Sequence, residues 1–221
     1  VGVGDCTDGF NDQRDVERTP RGPGCDAGAY EISECATQPP TVTVATEAEL
    51  NAALFCFSSG DSVAGSYTIT LSDDIEVEDT GFRQTALLTP IKQPLAGFDL
   101  TIDGAGHEVL ASDPLFIGPK FAPSVLAIEP ANTANVTLIN ISLESQNALI
   151  PTLVSHDGSG SLSVTQTSLG RLSRSDVVLS SDGSGAVVLR NTIVGSGTGI
   201  SVTNGPLSVS DSSFTNRTGA D

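Results

Sequence analysis

The 221-residue chain contains no Trp, no Met, two Tyr and two Lys, and no run of 18 or more apolar residues. Each absence excludes something. Without a long apolar run, no segment is expected to insert in a membrane as a helix. Ten basic against 27 acidic side chains give a net charge of −17, and no Lys/Arg cluster interrupts it. A polyanion would be repelled, so nucleic acid is excluded as a partner. Charged residues make up only 17% of the chain, so the acidity reflects missing bases more than a dense acidic tail. The 38% of hydrophobic residues is enough for the core of one or two domains. There is no initiator Met and no charged-then-apolar leader at Val1. The expectation is a mature or excised fragment whose targeting signal lies elsewhere, which leaves secretion open.

Cysteine is confined to the first 56 residues, at Cys6, Cys25, Cys35 and Cys56. No CxxC pair is present and both histidines, His107 and His156, are far off in sequence, which disfavours a zinc site. Two disulfides in an oxidising compartment, extracellular or at the cell surface, are the expectation. Three connectivities remain open, with Cys6–Cys25 and Cys35–Cys56 suggested by proximity.

Residues 1–40 are dense in Asp, Arg, Gly, Pro and Cys and lack apolar periodicity, which marks a loop-rich extension. The pattern changes at Thr41. After an alternating TVTVA segment, Leu50, Ala53, Leu54 and Phe57 fall at helical spacing, behind Thr46 as N-cap and Glu49 as its capping-box partner. A capping helix near 47–57 is expected. Beyond Ser66 the chain reads as short alternating strands between Gly, Asn, Asp and Ser.

A repeat then decides the fold. Val136–Leu143, Leu162–Leu169, Val187–Val194 and Leu207–Phe214 align without gaps, their starts 26, 25 and 20 residues apart. The first, third and eighth places are apolar; the fifth is Asn140, Gln166, Asn191 and Asp211. A shorter strand precedes each unit, as in Ser124–Ile128 and Gly199–Val202. Units of this length, built only of strands and turns, suit the coils of a parallel β-helix spanning 41–221. About seven coils are expected, with the fifth place stacking as a side-chain ladder at a bend and Asn140 turned inward. An antiparallel sandwich would not place these columns in phase.

Residues 12–31, DQRDVERTPRGPGCDAGAYE, resemble the DQRG…GCDxGAYE signature of secreted bacterial right-handed parallel β-helix proteins of the choice-of-anchor Q type. Asp15 stands where Gly is usual and Ala27 where Ile is usual. The TVT strand, the helix and Leu100-Thr-Ile-Asp-Gly-Ala-Gly106 are similar to the opening of such a β-helix. The resemblance implies a right-handed, all-β solenoid outside the cell. A signature that normally closes a β-helix here precedes one, and the last coil stops in mid-pattern. These features point to end-to-end self-association or a tandem array, with residues 1–40 packing on a neighbouring copy or an upstream repeat.

Catalysis would require clustered carboxylates or a Ca²⁺-assisted base, as in polysaccharide lyases and hydrolases. The acids on the strands are few, Asp103, Glu129, Asp176 and Asp211, and although Arg171, Arg174 and Arg190 could neutralise a uronate carboxylate, no acids recur near them in phase. The expectation is a structural or adhesive module rather than an enzyme, with a polysaccharide-active or glycan-binding protein as the alternative and surface glycans as candidate ligands. No cofactor is expected. Weak Ca²⁺ candidates are Asp74, Glu76 and Glu78, which alternate with Ile75 and Val77, and Asp8 and Asp12 in the extension. The alternative for the first set is a solvated strand face that discourages wrong pairing. Asn135, Asn140 and Asn216 begin glycosylation sequons.

Overall fold

The computed structural model describes residues 40–59, 64–77, 86–112, 124–146, 150–171, 177–195 and 199–215. The extension to residue 39, the signature at 12–31, Cys6, Cys25, Cys35, Asp8, Asp12, Glu78, Arg174, Asp176 and Asn216 lie outside them.

The chain runs through β1 (Thr41–Val44), α1 (Glu47–Ser58), β2 (Gly65–Leu71), β3 (Ile75–Val77), β4 (Phe98–Asp103), β5 (Glu108–Ala111) and β6 (Ser124–Ile128). It continues through β7 (Asn135–Ile139), β8 (Ser142–Ser145), β9 (Thr152–His156), β10 (Leu162–Thr165), β11 (Ser168–Arg171) and β12 (Val177–Ser181). The last strands are β13 (Val187–Arg190), β14 (Ile193–Val194), β15 (Gly199–Val202), β16 (Leu207–Ser210) and β17 (Ser213–Phe214).

These strands form three sheets. The first has the order β1-β2-β4-β7-β10-β13-β16, the second β3-β5-β8-β11-β14-β17, and the third β6-β9-β12-β15. Every strand pair is parallel, and each strand pairs with its counterpart one rung away. The fold is therefore an all-β, parallel, solenoid-like stack. Its register is the one the repeat predicts: Val136, Leu162, Val187 and Leu207 are consecutive partners, as are Leu138, Val164, Leu189 and Val209. Each repeat unit covers a strand of the first sheet, a bend and a strand of the second.

Alternation along each strand sends these columns inward. Leu138, Val164 and Leu189, with Val136, Leu162 and Val187, are fully buried and form one continuous core with Val109, Leu143, Leu169 and Val194. The sixth place of the unit also points inward and is Ile141, Thr167, Thr192 and Ser212. Burying hydroxyls there is tolerable because each is bonded. Thr167 Oγ1 donates to Thr165 O (2.9 Å), and Thr192 Oγ1 lies 3.0 Å from both Arg190 O and Val164 O, one rung back.

α1 forms where the spacing predicts it and buries Leu50, Ala53, Leu54, Cys56 and Phe57. Thr46 caps it, accepting the Glu49 N–H at 3.3 Å. The reciprocal bond is displaced by one residue: Glu49 Oε2 accepts from Ala45 N–H (2.7 Å) instead of the N-cap's own amide. The helix packs against β1, β2 and β3, and Phe57 meets Tyr67 and Phe98 edge-to-face. Phe57, Tyr67 and Phe98 are thus gathered in one cluster under the helix. Asn51 Oδ1 accepts Thr89 N–H and the buried Gln93 donates to Phe57 O, fixing segment 86–95 to α1.

A second repeat, not recognised from the sequence, shapes the corner between the third and first sheets. Asp157-Gly158-Ser159-Gly160 and Asp182-Gly183-Ser184-Gly185 stack so closely that a Cβ on Gly185 would lie 1.9 Å from Gly160 O. Gly185→Ala is expected to lower unfolding stability by about 2 kcal/mol or more through overpacking. Gly170→Ala, whose Cβ would meet only the end of the Glu144 side chain at 3.2 Å, should be nearly neutral. Urea unfolding midpoints of the two variants provide the comparison.

Candidate functional site

The bend between the first and second sheets carries the polar column at the fifth place. Asn140, Gln166, Asn191 and Asp211 have φ of 52, 50, 48 and 52°, and Ala105 has 51°. The column is thus a column of left-handed backbone, which Asn and Asp tolerate better than other side chains. This corrects the expectation of an inward side-chain ladder. Asn140 is half-buried, and Gln166, Asn191 and Asp211 are exposed. The left-handed residue follows an outward position (Ile139, Thr165, Arg190) and keeps its own side chain outward, and the inward place passes to the next residue, Ile141, Thr167 or Thr192. Asn140 Nδ2 does reach Asp103 Oδ1, at 3.4 Å. Asp103 Oδ1 also accepts Ala105 N–H (2.9 Å), which gives this acid a turn-forming role.

An open depression follows the bend, lined by Asn140, Ser142, Gln166 and Ser168 with Ala105 and Gly106 at one side. Its hydroxyl and amide groups alternate with apolar surface that includes Ile141, a mixture that suits a neutral polar ligand better than an ion.

Beside it lies the acidic segment of β3. Ile75 and Val77 are buried and Asp74 and Glu76 exposed, as alternation requires. Asp74 is committed to structure: its Oδ1 accepts Glu108 N–H (2.9 Å) and lies 3.2 Å from His107 Nδ1. The bond from the Glu108 amide, then that from His107, holds the Asp74 carboxyl below its ordinary value. Glu108 is pushed the other way, by burial first and then by Glu144 and Asp74. Among the described residues, no three His, Cys, Asp or Glu side chains come together as metal ligands. Asp74 and Glu76 belong to no such group among the described residues, and Glu78, the third member of the set considered from the sequence, lies outside them.

The other candidates are dispersed. Glu129 lies 3.9 Å from Lys92, and Asp211 sits in the same bend column as Asn140 but on the last rung. Asn135, exposed at the start of β7, donates from Nδ2 to Asp99 Oδ1 (2.8 Å) and accepts at Oδ1 from Ser161 N–H and Oγ. His156 is buried in the core. Cys56 is buried on α1 and is not a free thiol.

A further feature is the last described rung. Leu207 and Val209 are 46% and 42% exposed and Phe214 is 55% exposed, whereas Val187, Leu189 and Val194, one rung earlier in the same columns, are at 0–1%. No protein-family model, curated protein or solved structure matches this chain.

Two outcomes test these assignments. Asn191→Ala should cost roughly 1–2 kcal/mol in chemical denaturation because Ala is strained at positive φ, and Asn191→Gly should cost far less. Asp74→Ala should lower the thermal midpoint at neutral pH. Because the folded-state pKa of Asp74 is depressed, its contribution is present above the ordinary value of 3.8 and is lost as the pH falls below it. The midpoints of variant and parent should therefore converge in acid.

Proposed function

We propose that this chain is an extracellular structural or adhesive module, a right-handed parallel β-helix that works through its ends by joining head to tail. The right hand follows from the general preference of parallel crossover connections and from the resemblance of residues 12–31 to the signature of secreted β-helix proteins. In this reading the cysteines tie the extension to α1 in an oxidising compartment.

The observation that carries the proposal is the exposure of Leu207, Val209 and Phe214 on columns that are otherwise fully buried. Such a face is completed by another rung of the same pattern. β1 offers one: β1 and β16 are the outermost strands of the same all-parallel sheet. Setting the β1 edge of one copy on the β16 edge of another continues that sheet without reversing strand direction, and it places Val42 in the column of Val209. The sides of the stack are poor in positive charge, with only two Lys in the chain. Mutual repulsion of the sides therefore favours contact at the ends.

Light scattering across a concentration series, with negative-stain microscopy of the same samples, tests this reading. Stepwise mass increase and end-to-end rods are expected, and Leu207→Asp with Val209→Asp should give folded monomers by circular dichroism. Isolated particles at every concentration for the parent chain would overturn it. The glycan-binding alternative draws support from the Asn140/Gln166 depression, and binding to a glycan array that Gln166→Ala abolishes would favour it.

A further inference from the structure

His156 ends β9 and is fully buried, with a relative exposure of 0%. It occupies an inward column of the third sheet, where Ile128 is its partner on one side and Ser181 on the other. Both ring nitrogens are used inside the protein. Nε2 lies 2.8 Å from Gly160 O, and a carbonyl can only accept, so Nε2 carries the proton. Nδ1 is then the acceptor, 2.9 Å from Ser181 Oγ, whose hydroxyl donates. The neutral ring thereby ties its own glycine turn to the next rung.

We propose that His156 is an acid-sensitive latch: protonation of its ring opens the corner formed by the stacked turns 157–160 and 182–185 while the rest of the stack holds. The corner has no room for adjustment, because Gly158, Gly160, Gly183 and Gly185 bring backbone against backbone. A charged ring needs water, and the close stacking admits it only if the turns part. The His156 carbonyl also accepts the amides of Asp182 (3.1 Å) and Gly183 (3.2 Å), so moving the residue releases the following turn as well.

The charged groups around it are few. Asp157 adjoins it in its own turn, Asp182 lies on the following rung, and Glu129, beside Lys92, lies on the preceding one. Burial depresses the affinity of His156 for a proton more than the bond to Gly160 and the charge of Asp157 raise it. The neutral fold is therefore fully stable above the ordinary histidine value of 6.5. As the pH falls below that value, the open state takes up a proton that the closed state refuses, and opening becomes more populated.

Residue-resolved hydrogen exchange of the parent chain between pH 7.5 and 5 tests the latch. Protection of the amides of Asp182, Gly183 and Gly185 should fall by up to tenfold per pH unit below about 6.5. Protection in β8 and β11 of the second sheet should not change with it. His156→Gln, which retains one donor and one acceptor, should remove the pH dependence, while His107→Gln should leave it. If His156→Gln does not fold, a histidine NMR titration of the parent chain decides. The latch predicts that the His156 ring stays the Nε2–H tautomer in the closed corner and takes up a proton only below the ordinary histidine value. A His156 ring that titrates at the ordinary histidine value in the folded chain, or loss of protection spread evenly over all three sheets, would overturn the proposal.

Discussion

The structure depends on one constraint: a parallel strand can complete its hydrogen bonds only with the rung before it and the rung after it. Parallel pairing fixes direction, and the in-phase pattern of successive units fixes register, so each place in a unit is stacked on the same place one rung away. Inward columns of Val, Leu and Ile then form a core of constant width. Bends recur at one height, and a residue placed there inherits the conformation of the bend. Gln166 illustrates this. Its side chain has no particular liking for the left-handed region, yet its φ of 50° matches those of Asn140 and Asn191, the residues at the same bend on the rungs to either side.

Much of this was legible in the sequence because a repeat reports register directly. The apolar first, third and eighth places predicted the partners in two sheets, and the boundaries of β6 and β15 were read to the residue. The helix was legible as well, since its apolar spacing and its cap are local signals. What was misread are places where tertiary stacking reassigns a polar residue. The amides at the fifth place looked like an inward ladder, but their function is served by the backbone, and the inward polar groups are the threonines one residue later. Thr167 and Thr192 were passed over because a hydroxyl in a Ser/Thr-rich strand reads as surface. The signal was their alignment with Ile141. The stacked DGSG turns could also have been found, since the motif recurs 25 residues apart in phase with the units.

The acidic segment shows how alternation and local charge are tied to burial. Asp74, Glu76 and Glu78 alternate as metal ligands would, but alternation is also what any strand with one buried face produces. Asp74 instead spends its oxygen on an amide of the next rung, holding β5 to the segment before β3. Its depressed pKa and the raised pKa of Glu108 come from that packing. The two ends of the stack differ in the same physical terms. One is filled by α1 with Leu50, Leu54 and Phe57, and at the other the columns of Leu207, Val209 and Phe214 are open.

If each rung is stable only when covered on both sides, stability should grade along the stack. Rung-by-rung hydrogen exchange of the dilute chain measures this most directly. The account predicts the weakest protection in β15, β16 and β17, rising toward β7–β9, with the β15–β17 amides gaining protection as the protein is concentrated. Equal protection of β15–β17 and β7–β9 in dilute monomer would contradict it.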